Sequence, residues 1–137
     1  MTTNIYNSLY HYTTEYGLLA IIESRVLRPS LTKPNGRDIL LGEGQYFTNL
    51  APETIACRSR TEMTPMQIES GQLSIFQLAN RIMRGTLSPE KLDCFIEFDV
   101  ASLRIIHSSQ YKYIYLHESR VDLDISNRII RSGKTLV

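Results

Sequence analysis

The sequence predicts an α+β fold in a single domain spanning residues 1–137, on three observations. Apolar residues at helical spacing are confined to the first two thirds of the chain, β-branched and aromatic runs dominate the last third, and no repeat or low-complexity segment interrupts them. A length of 137 residues with 42% hydrophobic and 21% charged residues suffices for one buried core and excludes disorder over most of the chain.

In chain order, "SLYHYT" reads as a strand and "TEYGLLAIIESRVL" as a helix, with Leu18, Leu19, Ile21 and Ile22 near helical spacing and Thr13 or Thr14 as N-cap. That helix should fade near Arg25. "VLRPS" then resumes extended structure, because the residue before Pro29 is pushed toward β, and "LTKPNGRDILLGEG" carries the strongest loop signals. "QYFTN" is a short strand. "APETIACRSR" reads as a second helix, with Pro52 in its first turn, Glu53 complementing the positive helix end and Arg58 to Arg60 on a solvated face. "SIFQLANRIMRG" places Ile75, Leu78, Ala79, Ile82 and Met83 on one helix face, with Gly85 as the stop. Ser88 and Pro89 suit a helical turn before the strand "CFIEFDV", and "RIIH", "YKYIYLH" and "NRIIR" all read as strands.

Composition narrows the function. Fifteen basic against 14 acidic residues leave a formal charge of +1, so no bulk attraction to nucleic acid or to an anionic membrane exists. Cys57 and Cys94 lack metal-site spacing and are expected as reduced thiols. No signal peptide or membrane span is legible, as expected of a cytosolic protein or of a piece of a larger secreted polypeptide. Met1 does not decide between them.

Chemistry concentrates in two short stretches. "LYHYT" sets His11 between two tyrosines, and "GEGQYFT" brings Gly42 and Gly44 to an aromatic strand, where glycines let a ligand or a backbone come close. A lone strand histidine is more often simply hydrogen-bonded within its sheet than functional. The glycine pattern is not a phosphate-binding loop, since no helix follows it directly and the loop's Lys and Ser/Thr are missing.

The order "LYHYT", helix, "VLRPS", loop, "GEGQYFT", "APE", followed late by "CFIEFDV" and "LDISNRIIRSG", resembles the ADP-ribosyltransferase superfamily. More narrowly it is similar to the His-Tyr-Asp signature toxins found at the C-terminal tips of bacterial polymorphic toxins such as Rhs proteins. The resemblance implies a split β-sandwich and a glycosyl transfer that uses NAD as co-substrate, without a metal. It implies that His11 bonds a ribose hydroxyl, that Tyr46 lies against nicotinamide with Gly44 leaving room for it, and that the Tyr12 backbone meets the nicotinamide amide. Thr13 and Phe47, beside them, join the expected cofactor-binding set. A carboxylate is expected to stabilise the oxocarbenium character left on the ribose. The resemblance points to Asp124 in "LDIS" as the third catalytic residue, with Glu97, Asp99, Glu118 and Asp122 as the other carboxylates on offer. The strand position used by better-known relatives falls nearer Gln110 to Tyr113, which holds none. Glu97 and Asp99 share a strand face, but Asp99 nearly ends its strand and reads as a turn or cap residue. Arg28 and Arg37 lie near the expected cleft and could meet the pyrophosphate.

The family's biology further implies a monomeric toxin domain made within a larger secreted protein. It would act on protein or RNA, translation components included, in the cytoplasm of a competing bacterium, and be held by a cognate immunity protein. Two alternatives stay open. One is an RNA 2'-phosphotransferase-like enzyme, which needs several basic residues; the other is a non-catalytic binding module on the same fold. The tyrosines of "YKYIYLH" could stack bases, but a half-buried strand face explains them better, because no basic cluster accompanies them.

Overall fold

The computed structural model describes residues 6–31, 42–83 and 87–136. The predicted stop Gly85 and most of the predicted loop, residues 32–41, lie outside them. The fold is α+β. Strand β1 (Ser8–Thr13) runs antiparallel to the central strand β6 (Cys94–Asp99), whose other edge carries β10 (Ile129–Lys134). A second three-stranded sheet is built from β3 (Gly44–Phe47), β8 (Tyr115–Glu118) and β7 (Ile106–His107), in that order with β8 central. Two short pairs complete the framework: β2 (Val26–Leu27) with β9 (Leu123–Asp124), and β4 (Ile55–Cys57) parallel to β5 (Leu73–Ser74).

Local chemistry accounts for the helices. Helix α1 (Glu15–Ser24) starts where the Thr14 side chain accepts from the Gly17 amide at 3.0 Å, a cap of about 1 kcal/mol, and ends at Arg25 in the left-handed conformation. The short helix α2 (Pro65–Glu69) has a capping box between Thr64 and Gln67. Helix α3 (Ile75–Met83) begins with a similar exchange: the Ser74 hydroxyl accepts from the Gln77 amide, and the Gln77 side chain accepts from the Ser74 amide. No helix among the described residues is long and apolar enough to cross a membrane.

Two core clusters meet at β1 and β3. Leu9, Phe47, Ile96, Phe98 and Tyr115 fill the space between the two larger sheets, each large apolar side chain contributing about 1.5–3 kcal/mol by leaving water. Ile75, Leu78, Ala79 and Ile82 of α3 pack with Ile55, Leu92 and Ile114 in the second cluster, against which Tyr12 and Tyr46 are partly buried. Both strands that carry the quoted motifs therefore run along this seam.

Two sequence expectations fail. The helix expected over "APETIACRSR" is one 3-10 turn, Pro52–Thr54, after which Ile55 extends into β4 to pair with Leu73. Pro52 and Glu53 do open a turn, but the following β-branched and small residues join a distant strand instead of propagating it. "YKYIYLH" is a strand only from Tyr115, because its partner β3 ends at Phe47, opposite Tyr115. Before it the chain turns, with the Ser108 hydroxyl accepting from the amides of Gln110 and Tyr111. Tyr111 and Tyr113 therefore do not share a strand face with Tyr115.

Candidate active site

The backbone of β1 determines where this site can be. Tyr10 and Thr48 exchange both main-chain hydrogen bonds, each 2.8 Å, tying the first sheet to the residue after β3. In a continued antiparallel ladder the next bonded pair would join Tyr12 to Tyr46. The strands part there. The Tyr46 carbonyl instead takes the His11 imidazole, with Nδ1 2.9 Å from the oxygen. Since Tyr10 spends its amide and carbonyl on Thr48, strand alternation turns the amide and carbonyl of Tyr12 toward the same side, into the opening between β1 and β3.

A carbonyl can only accept, so Nδ1 must carry the proton and donate. His11 is half-buried and closely surrounded by protein, and this burial lowers its pKa below the ordinary 6.5 against the opposing effect of the Tyr46 bond. The ring is therefore neutral near pH 7, which leaves Nε2 as an acceptor. Phe47, buried and edge-on to His11 with ring centroids 6.4 Å apart, fixes the other side of the imidazole. The Tyr46 hydroxyl donates to the Gly42 carbonyl and accepts from the Gly42 amide, which anchors that ring at its far end.

These residues line a cavity of about 490 Å³ together with Tyr10, Thr13, Thr14, Ser30, Thr48 and Lys91, its apolar wall coming from Ile82, Leu87, Leu92 and Ile114. The Tyr12 hydroxyl donates to the Leu50 carbonyl at 2.7 Å, and burial pushes its pKa far above the tyrosine range, so it stays protonated. Thr13 crowds α1: a Cβ on Gly17 would stand 2.1 Å from its hydroxyl oxygen. Of the residues singled out in sequence, His11, Tyr12, Thr13, Tyr46 and Phe47 come together here.

The others do not. Gly44 lies outside the lining, and its missing side chain serves another neighbour: with φ of 152°, a Cβ there would stand 2.1 Å from the His117 carbonyl oxygen of β8. Asp124 is also outside the lining; it faces Val26 across the β2–β9 pair, and its carboxylate accepts from the Ser126 amide at 2.9 Å and hydroxyl at 2.7 Å. Those bonds hold its pKa below the usual range. Asp99 accepts from the Ala101 amide, as a turn residue does. Glu118 and Asp122 are exposed, and no Asp or Glu stands among the described residues that line the cavity. Arg28 is exposed two residues before Ser30, and Arg37 lies outside the described residues. No described group of three or more His, Cys, Asp or Glu residues could hold a metal.

Glu97 belongs to a separate cluster. It accepts from the Ser8 hydroxyl at 2.6 Å and from Arg131 Nε at 2.7 Å, while the other guanidinium nitrogens grip Glu53. Burial alone would raise the Glu97 pKa, but the bonds from Arg131 and Ser8 together bring it below the usual value. Arg131 also lies over the rings of Tyr10 and Phe95, 5.9 and 5.3 Å from their centroids. Sequence reasoning missed this clamp and Lys91. Glu53 and Arg131 are 78 residues apart, and no local pattern joins them.

The family of HYD1-signature-containing ADP-ribosyltransferases matches residues 9–129. The chain belongs to this toxin family. The match begins in β1, two residues before His11, takes in β2 to β9 and ends at the first residue of β10. No curated protein and no solved structure gave a match. For a HYD1-signature ADP-ribosyltransferase, the parting of β1 and β3 sets a neutral imidazole, an aromatic ring and a strand amide around one opening.

Proposed function

We propose that this domain transfers ADP-ribose from NAD to a macromolecular acceptor, protein or RNA, in a competing bacterium. The observation that carries the reading is the split at Tyr46, where His11 takes the carbonyl that a continued ladder would have used. NAD supplies a glycosidic bond whose cleavage releases nicotinamide and leaves positive charge on the ribose. His11 Nε2 accepts from a ribose hydroxyl, Tyr46 holds the nicotinamide ring by offset stacking, and the Tyr12 amide and carbonyl meet the carboxamide. The apolar wall excludes water from the reacting end. This reading assigns no role to a carboxylate.

Delivery within a larger secreted protein, action in the target cytoplasm and restraint by a cognate immunity protein complete the proposal. Family membership supports the transferase and the toxin; these finer points extend it. The test is incubation of the purified domain with labelled NAD and bacterial lysate, alongside His11→Ala and Tyr46→Ala variants. A discrete labelled product lost in both variants is expected, and its protease or nuclease sensitivity gives the acceptor class. Folded protein that neither consumes NAD nor labels anything would overturn the reading and leave a binding module.

A further inference from the structure

Lys91 is the one Lys or Arg among the described residues lining the cavity. It sits on the 3-10 turn Pro89–Leu92, immediately before β6, and its side chain is exposed. The turn under it is firmly held. The Lys91 amide bonds the Ser88 carbonyl at 3.1 Å, Leu92 is 1% exposed in the second core, and Thr135 ties the next residues down, its hydroxyl donating to Leu92 O and its amide to Asp93 O. A long flexible side chain therefore starts from a fixed base at the rim of a cavity whose other described lining residues carry no Asp, Glu, Lys or Arg. Among the described residues no carboxylate forms an ion pair with it, whereas Arg58 and Arg120 each pair with one and Arg131 with two.

The lining also offers hydroxyls. Thr13, the last residue of β1, and Thr14, the N-cap of α1, both line the cavity, and Thr14 already accepts from the Gly17 amide, so its own proton is left for an acceptor. An ammonium with hydroxyl donors and no competing carboxylate is the chemistry that holds a phosphate.

We propose that Lys91 binds a phosphate of the dinucleotide, with Thr13 and Thr14 assisting, and so sets the preference of the cavity for phosphate-bearing ligands over phosphate-free ones. The inference rests on the NAD reading above. It differs from the sequence expectation, which looked to Arg28 and Arg37 for this contact. Because Lys91 is exposed, its replacement leaves folding intact.

The test measures binding of ADP-ribose and of nicotinamide riboside, which lacks phosphate, to the wild type, Lys91→Ala and Lys91→Arg by calorimetry at two salt concentrations. Lys91→Ala should weaken ADP-ribose about tenfold, as the loss of one charge-assisted contact does. Lys91→Arg should restore most of that affinity, the salt dependence should be shallower in Lys91→Ala, and nicotinamide riboside should bind wild type and Lys91→Ala alike. Equal ADP-ribose affinity in wild type and Lys91→Ala would overturn the phosphate role and leave the NAD reading standing. A wild type that binds neither compound would overturn both.

Discussion

Two polar regions flank β1, and they are built on opposite principles. The cavity between β1 and β3 is lined by a neutral histidine, tyrosines, hydroxyls and aliphatic side chains, with one rim lysine. The cluster around Arg131 gathers two carboxylates and a guanidinium within hydrogen-bond distance. Tyr10 is their shared wall: it lines the cavity and carries Arg131 over its ring. The difference teaches that the density of charge is a poor guide to the proposed reactive place in this molecule. Charges satisfied by each other hold strands together, whereas the cavity keeps a strand amide and an imidazole nitrogen available by leaving a ladder unfinished.

The largest effect should come from the uncharged side. His11→Ala removes the group that takes the Tyr46 carbonyl, and misplacing the ribose by about 1 Å is worth roughly a hundredfold in rate. NAD turnover should fall by that order, a larger change than the roughly 1 kcal/mol that loss of the bond to Tyr46 takes from stability in urea unfolding. A variant that keeps wild-type turnover would break the comparison.

Arg131→Ala should do the reverse. Arg131 and Glu53 are 41% and 62% exposed at their side chains, so solvent screens the pairing; with lost packing on Tyr10 and Phe95 the cost is about 1 kcal/mol. Urea unfolding would register it, and NAD turnover should stay within about threefold of wild type, since the proposed ribose contact is to His11 and the clamp lies outside the cavity lining apart from Tyr10. A hundredfold loss of turnover would make the clamp part of the reacting machinery.

Asp124→Asn sharpens the comparison with the smallest effect. Its carboxylate is held in its own turn by Ser126 and lies outside the cavity lining, so turnover should stay within about twofold in the NAD assay. A large loss would give Asp124 the third catalytic role that the family resemblance suggests.

Much of this architecture could be read from local patterns. The strand around His11, the helix capped by Thr14, the helix from Ile75 and the strand from Cys94 all stand where periodicity and capping put them. Residues adjacent in sequence to His11 and Tyr46 reached the cavity with them for the same reason. What was illegible depends on distant partners. Ile55 leaves its turn to pair with Leu73, Tyr111 to Tyr113 lie in a turn before β8 begins, and Gly44 makes room for the His117 backbone. Lys91 reaches the rim because its turn packs beside β1, about eighty residues away in sequence, and no spacing rule encodes that contact.

The central claim is that His11 is a neutral imidazole with Nδ1 committed to Tyr46 and Nε2 available. Nitrogen-15 NMR of the labelled histidines, titrated from pH 8 to pH 4 with and without NAD, tests it most directly. The account predicts the Nδ1–H tautomer at pH 7, a pKa below 6.5 and an Nε2 signal that moves when NAD is added. Because the folded pKa lies below the unfolded one, the His11 contribution to stability is fully present above pH 6.5 and is lost as pH falls through the folded value. An imidazole charged at pH 7, or one whose Nε2 signal ignores NAD, would contradict the account.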